Sequence, residues 1–128
     1  MSKYTINAHL KVTITTEDID DIMCGALEGG INYWCEKVKV VGDYLGEYAS
    51  EQISRGGKLL IYEDDGETVH LLDKEMLLKG IAMYLENPRP YSIITEDNNE
   101  LVLDTCNADS IVCDMIIQYA LFDDVIYG

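Results

Sequence analysis

The chain has 128 residues, with 24 Asp and Glu against 9 Lys and Arg, giving a formal net charge of −15 at pH 7. A surface this acidic repels nucleic acid, whose binding depends on neutralising phosphates with Lys and Arg, so the chain either avoids polyanions or imitates one. Apolar residues make up 48%, so the composition excludes a disordered polyelectrolyte and predicts one folded domain that buries roughly two thirds of its unfolded surface. No apolar run approaches the roughly 18 residues of a membrane span, and Met1 to Asn7 lack a basic region followed by an apolar stretch, so a cytosolic protein is expected.

From Tyr4 to Ile14 apolar and polar residues alternate, predicting a strand with one buried face and His9 on the wet one. Thr15-Thr16-Glu17-Asp18 has the pattern of a capping box, followed at helical spacing by Ile19, Ile22, Met23, Ala26 and Leu27. Gly29 or Gly30 is expected to end that helix in a left-handed conformation. Ile31 to Val41 favours a strand through its valines, although its beginning equally suits an extension of the helix. Asp43 to Arg55 places Leu45, Tyr48, Ala49, Gln52 and Ile53 on one side, predicting a second helix stopped by Gly56 or Gly57.

Lys58 to Glu63 and Thr68 to Leu72 flank Asp65-Gly66, a pair suited to a two-residue hairpin turn. Centring the turn there pairs Tyr62 with Val69 and Ile61 with His70. Asp73 caps a helix through Glu86, ended by Pro88 and Pro90. Strands are expected at Tyr91 to Thr95 and Leu101 to Thr105. Asn107 then caps a last helix with the stripe Val112, Met115, Ile116, Tyr119 and Ala120, and Val125 to Tyr127 forms a final strand. The order predicts a single α+β domain over residues 1–128, a mostly antiparallel sheet with about four helices packed on it.

Catalytic patterns are missing. Cys24, Cys35, Cys106 and Cys113 form no C-x-x-C pair and neither His9 nor His70 stands at metal spacing, so buried thiols are expected, with no metal and no cofactor. No nucleophile elbow is present, and the carboxylates fall at helix ends and at the hairpin tip, where solvation explains them. These readings predict a binding protein, not an enzyme. Arg55 with Lys58, and separately Arg89 between two prolines, are the candidate phosphate contacts, because guanidinium grips phosphate oxygens bidentately. Tyr48, Trp34 and Tyr91 are the candidate base-stacking faces. Helix N-termini are unsuited to phosphate here, since Glu17, Asp18, Glu75 and Asp109 occupy or adjoin their first turns.

Four segments, Thr15–Met23, Ala26–Cys35, Tyr48–Gly57 and Ile117–Phe122, resemble small proteins carried by phages and prophages of Firmicutes. Among phage proteins of this size the chain is most similar to the Thoeris anti-defence sponges. That resemblance implies a homo-oligomer in the host cytosol that sequesters a cyclic ADP-ribose-type or other cyclic nucleotide signal without cleaving it, in a pocket shared between protomers. Arg55, Lys58 and Arg89 with Tyr48, Trp34 and Tyr91 would then be the ligand contacts, an assignment resting on the residue chemistry alone. The alternative is an acidic nucleic-acid mimic that inhibits a host defence nuclease, with Asp18, Asp20, Asp21, Glu63, Asp64 and Asp65 standing in for phosphates. A virion or assembly component is the third class.

Overall fold

In the computed structural model, which describes residues 2–6 and 8–128, the described residues ahead of the first helix, α1 (Thr16–Gly25), make up an arm with no regular element. The capping box forms as the sequence predicts, Asp18 N donating to Thr15 Oγ1 at 3.1 Å and Thr15 N to Asp18 Oδ2 at 2.9 Å. Helix α1 runs on into a wide turn over Ala26–Gly30. Gly29 is extended there (φ 178°), not left-handed as expected. The glycine requirement is instead one of approach at Gly30, where a Cβ would come within 2.7 Å of the Ser110 carbonyl.

Strands β1 (Cys35–Val40), β2 (Leu59–Glu63) and β3 (Val69–Leu72) make an antiparallel sheet in the order β1-β2-β3. Tyr62 pairs with Val69 and Ile61 with His70, the register that an Asp65-Gly66 turn demands. Helix α2 (Lys74–Glu86) starts at Asp73, whose carboxylate accepts from Met76 N at 2.9 Å. A second antiparallel pair, β4 (Ile94–Asp97) and β5 (Glu100–Leu103), precedes helix α3 (Ser110–Phe122). Among the described residues the architecture is therefore one small α+β domain with two antiparallel sheets and three α-helices, one helix fewer than expected.

The missing helix lies at Asp43 to Arg55, where only Ala49–Glu51 forms a short tight turn. Side chains have taken over the backbone's partners. Gln52 accepts from Leu45 N at 3.0 Å and donates to Asp43 O at 3.2 Å, while Glu51 Oε1 accepts from both Glu47 N and Tyr48 N at 3.0 Å. Such local bonds offer the chain an alternative to the helical ladder. The expected glycine stop is nevertheless present, since Gly56 is left-handed (φ 89°) and the amides of Gly56 and Gly57 return to Ile53 O and Gln52 O at 3.0 and 2.8 Å. This is the paired closure of a glycine-terminated helical turn.

Three further expectations are corrected. Among the described residues of the expected Tyr4–Ile14 strand only Thr13 pairs, bridging in parallel to Val102 with Thr13 N on Leu101 O at 2.8 Å, and Asn7 lies outside the described residues. Asp109, not Asn107, caps α3, accepting from Val112 N at 3.0 Å. Val125 to Tyr127 forms no strand, because the amides of Ile126 and Tyr127 both donate to Gln118 Oε1 at 2.8 Å.

Helix α3 is the centre of the fold. Val112 to Asp114 and Ile116 to Ala120 are buried, so the helix is enclosed on nearly every side and not along the single stripe its sequence suggests. Helix α2 crosses it at Gly80, and Leu59 and Ile61 of β2 and Leu72 of β3 complete the core with Trp34, Ile22 and Met23. Among the described residues no helix is long and apolar enough to cross a membrane.

Candidate functional site

The expected ligand residues fall in three places. Arg55 sits in the turn before β2, where its guanidinium lies 3.4 Å from Glu51 Oε2, and Lys58 follows on the exposed approach to the strand. Tyr48 is exposed in the same loop. Trp34 is at the other extreme, 2% exposed, with Tyr127 stacked on it at a centroid distance of 5.4 Å and Phe122 edge-on at 5.6 Å. Its covered ring is no platform for a base. Arg89 and Tyr91 belong to the segment between α2 and β4, where the Tyr91 hydroxyl donates to Asn107 O at 2.6 Å.

What the fold gathers instead is a polar network under the C-terminal segment, which sequence spacing did not signal. Asp114, buried on α3, accepts from Tyr33 at 2.6 Å, Trp34 Nε1 at 2.8 Å and Gln118 Nε2 at 3.0 Å. Gln118 in turn holds the amides of Ile126 and Tyr127. The Tyr127 hydroxyl donates to Glu63, whose other oxygen lies 2.7 Å from His70 Nε2, and His70 packs edge-on against Phe122. A buried acceptor with three donors satisfies groups that would otherwise cost about 1–3 kcal/mol each.

These contacts set the protonation chemistry. Burial, then the hydrogen bond to Asp114, pushes the Tyr33 hydroxyl up to about 12. The hydrogen bonds from Tyr127 and His70 hold Glu63 below its ordinary value of 4.5, and the same bond to Glu63 raises Tyr127. Both phenols therefore remain neutral donors and Glu63 an ionised acceptor at neutral pH.

Two openings flank the network. A small cleft of about 200 Å³ is lined by Tyr33, Trp34 and Tyr127 together with Glu63, Asp64 and Asp65. Glu36 adds to the same acidic surface, its carboxylate lying over Gly66 at the hairpin tip, 2.8 Å from where a Cβ would stand. The larger cleft, about 870 Å³, runs along α3 between Arg89, Tyr33, Ser110, Tyr119 and Tyr127, with Asp114 and Asp124 also on its wall. Of the six expected ligand residues, Arg89 alone reaches the larger cleft and Trp34 alone the smaller.

Of the nine Lys and Arg that would offset the acids, four are engaged. Arg55 is paired to Glu51, Lys79 Nζ lies 2.6 Å from Asp123, and Lys37 and Lys39 stand over the Tyr62 ring at 4.6 and 5.5 Å. Among the described residues no three His, Cys, Asp or Glu side chains converge as a metal site. Compared with known proteins, the chain matches no family model, and no curated protein or solved structure is significantly similar to it.

Proposed function

We propose that the protein is a non-catalytic binding protein that presents its acidic surface to a basic surface of a partner, in the manner of a nucleic-acid mimic acting on a host defence nuclease. The small cleft carries this reading. Glu63, Asp64 and Asp65 share a space of about 200 Å³ with Tyr33, Trp34 and Tyr127, and its carboxylates suit an arginine or lysine side chain, which gains from opposite charge and hydrogen bonds together. A partner whose cations normally hold phosphate would supply such side chains. The pairing of Arg55 to Glu51 and the covered ring of Trp34 count in the same direction, since they withdraw a cation and a stacking face from a phosphorylated ligand.

Calorimetric titration with an octa-arginine peptide tests this at low and high salt. Binding that weakens with salt and with Asp64→Asn/Asp65→Asn supports it, and binding indifferent to both refutes it. The sponge reading retains one observation, Arg89 on the wall of the larger cleft beside Tyr33, Tyr119 and Tyr127. It requires heat on titration with a cyclic nucleotide that disappears in Arg89→Ala.

A further inference from the structure

The first residues of the chain differ in charge from all the rest. Residues 2–16 carry Lys3, Lys11 and His9 and no acid, whereas all 24 Asp and Glu lie from Glu17 onward. Within this arm the parity is strict, with Tyr4, Ile6, Ala8, Leu10, Val12 and Ile14 on even positions and Lys3, Thr5, His9, Lys11 and Thr13 on odd ones. As an extended strand it would present one apolar and one basic face.

The fold of a single chain leaves that face unused. Tyr4, Ile6 and Leu10 are 90%, 84% and 64% exposed, and the pairing begun at Thr13 is confined to that one bridge among the described residues. Between the arm and α2 lies an apolar cleft of about 820 Å³, walled by Ile6, Leu10 and Val12 on one side and by Leu78, Ala82 and Leu85 on the other. Leu78 is itself 38% exposed, and Glu86 stands at the cleft's wall. Exposed apolar walls on both sides of one cleft show that the arm does not close on α2 within its own chain.

We infer that a second copy of this chain covers α2, its arm lying with the apolar face on Leu78, Ala82 and Leu85 in place of the chain's own arm while the two bodies exchange arms reciprocally. Three observations select this occupant. The arm is basic and the body strongly acidic, so an arm is attracted to another body although the bodies repel one another. Its apolar face matches the chemistry of the cleft. Its length is sufficient, because eleven extended residues span roughly 35 Å, more than twice the radius of gyration of about 14 Å expected for a domain of this size. A reciprocal exchange places identical contacts at both ends, the self-complementary geometry of a two-fold dimer. This inference does not depend on what the acidic surface binds.

Sedimentation equilibrium of the full chain over a wide concentration range tests it. The expected result is twice the single-chain mass at low salt, with dissociation favoured as salt screens the arm. Ile6→Asp/Leu10→Asp, two exposed sites, should halve the mass while leaving the circular dichroism spectrum unchanged, and so should Leu78→Asp on the other wall. Mixing these two variants should restore a heterodimer, because one intact arm then meets one intact α2 face. A wild-type monomer throughout the range, or a double variant that remains dimeric, would overturn the inference.

Discussion

Replacing Gly80 by alanine sets two effects of opposite sign against each other within one helix. Gly80 lies inside α2 where it crosses α3, and a Cβ there would stand 2.5 Å from the Ile116 carbonyl oxygen and 2.9 Å from both the amide nitrogen and the Cβ of Ala120. Alanine is intrinsically the better helix former by about 1 kcal/mol. The first atom it meets, however, is backbone and cannot rotate aside. Restoring the 3.4 Å at which ordinary contact begins requires the helices to part by about 0.9 Å, a gap that forfeits a quarter to a half of each dispersion contact across the interface. That interface holds Leu77, Ile81 and Tyr84 against α3, all fully buried. Overpacking of this kind costs about 3 kcal/mol, so the net expectation is a loss of about 2 kcal/mol and roughly 8 °C in Tm. Urea unfolding followed through the fluorescence of Trp34 measures it. A Gly80→Ala protein as stable as the wild type would refute the close crossing.

The remaining predictions concern the network and the thiols. Asp114→Ala should destabilise by about 2–3 kcal/mol, because Trp34 Nε1 loses the acceptor it has at 2.8 Å, while Asp114→Asn keeps an acceptor oxygen and should cost less in the same urea titration. With its hydroxyl raised to about 12, Tyr33 contributes stability that is intact below the unfolded phenol's ordinary value of 10.0 and lost as pH climbs from there through about 12. Thermal melts should therefore fall off less steeply above pH 10 in Tyr33→Phe. Glu63 is shifted the other way, so its contribution is present above pH 4.5 and lost as pH falls through its depressed value, and Glu63→Gln should flatten the acid limb of the same profile. Cysteine labelling of the native protein should modify exposed Cys106 first and spare buried Cys35 and Cys113, the latter pushed to about 12 chiefly by burial, until denaturant is added. Mass spectrometry showing Cys113 labelled as fast as Cys106 would contradict the enclosed position of α3.

How far the sequence is legible depends on the reach of the interaction. The Thr15–Asp18 box, the Asp73 cap and the Asp65-Gly66 turn with its Tyr62–Val69 register are readable in advance because each is settled within a few residues. The helix expected over Asp43 to Arg55 fails although its apolar spacing is sound, since Glu51 and Gln52 bond back to the chain, a choice that periodicity does not register. Likewise the alternation of the arm is unmistakable, but a strand exists only where a ladder partner is supplied, and the single chain supplies one at Thr13 alone among the described residues.

The candidate site belongs to the second kind of information. Acidity and the lack of catalytic spacing are properties of composition, and they direct attention to binding before any coordinate is known. Which side chains meet is another matter. Tyr33 and Trp34 reach Asp114 across about eighty residues of chain, and Glu63 reaches Tyr127 across sixty-four. Arg55 is drawn to Glu51 one turn away, and Trp34 is drawn into the core by the area it buries. Local hydrogen bonds and turn chemistry wrote the helix caps and the β2–β3 hairpin into the sequence. The acidic–aromatic cleft and the Gly80 crossing were decided only by tertiary packing, because burial and close approach are properties of chain segments distant in sequence and neighbours in space.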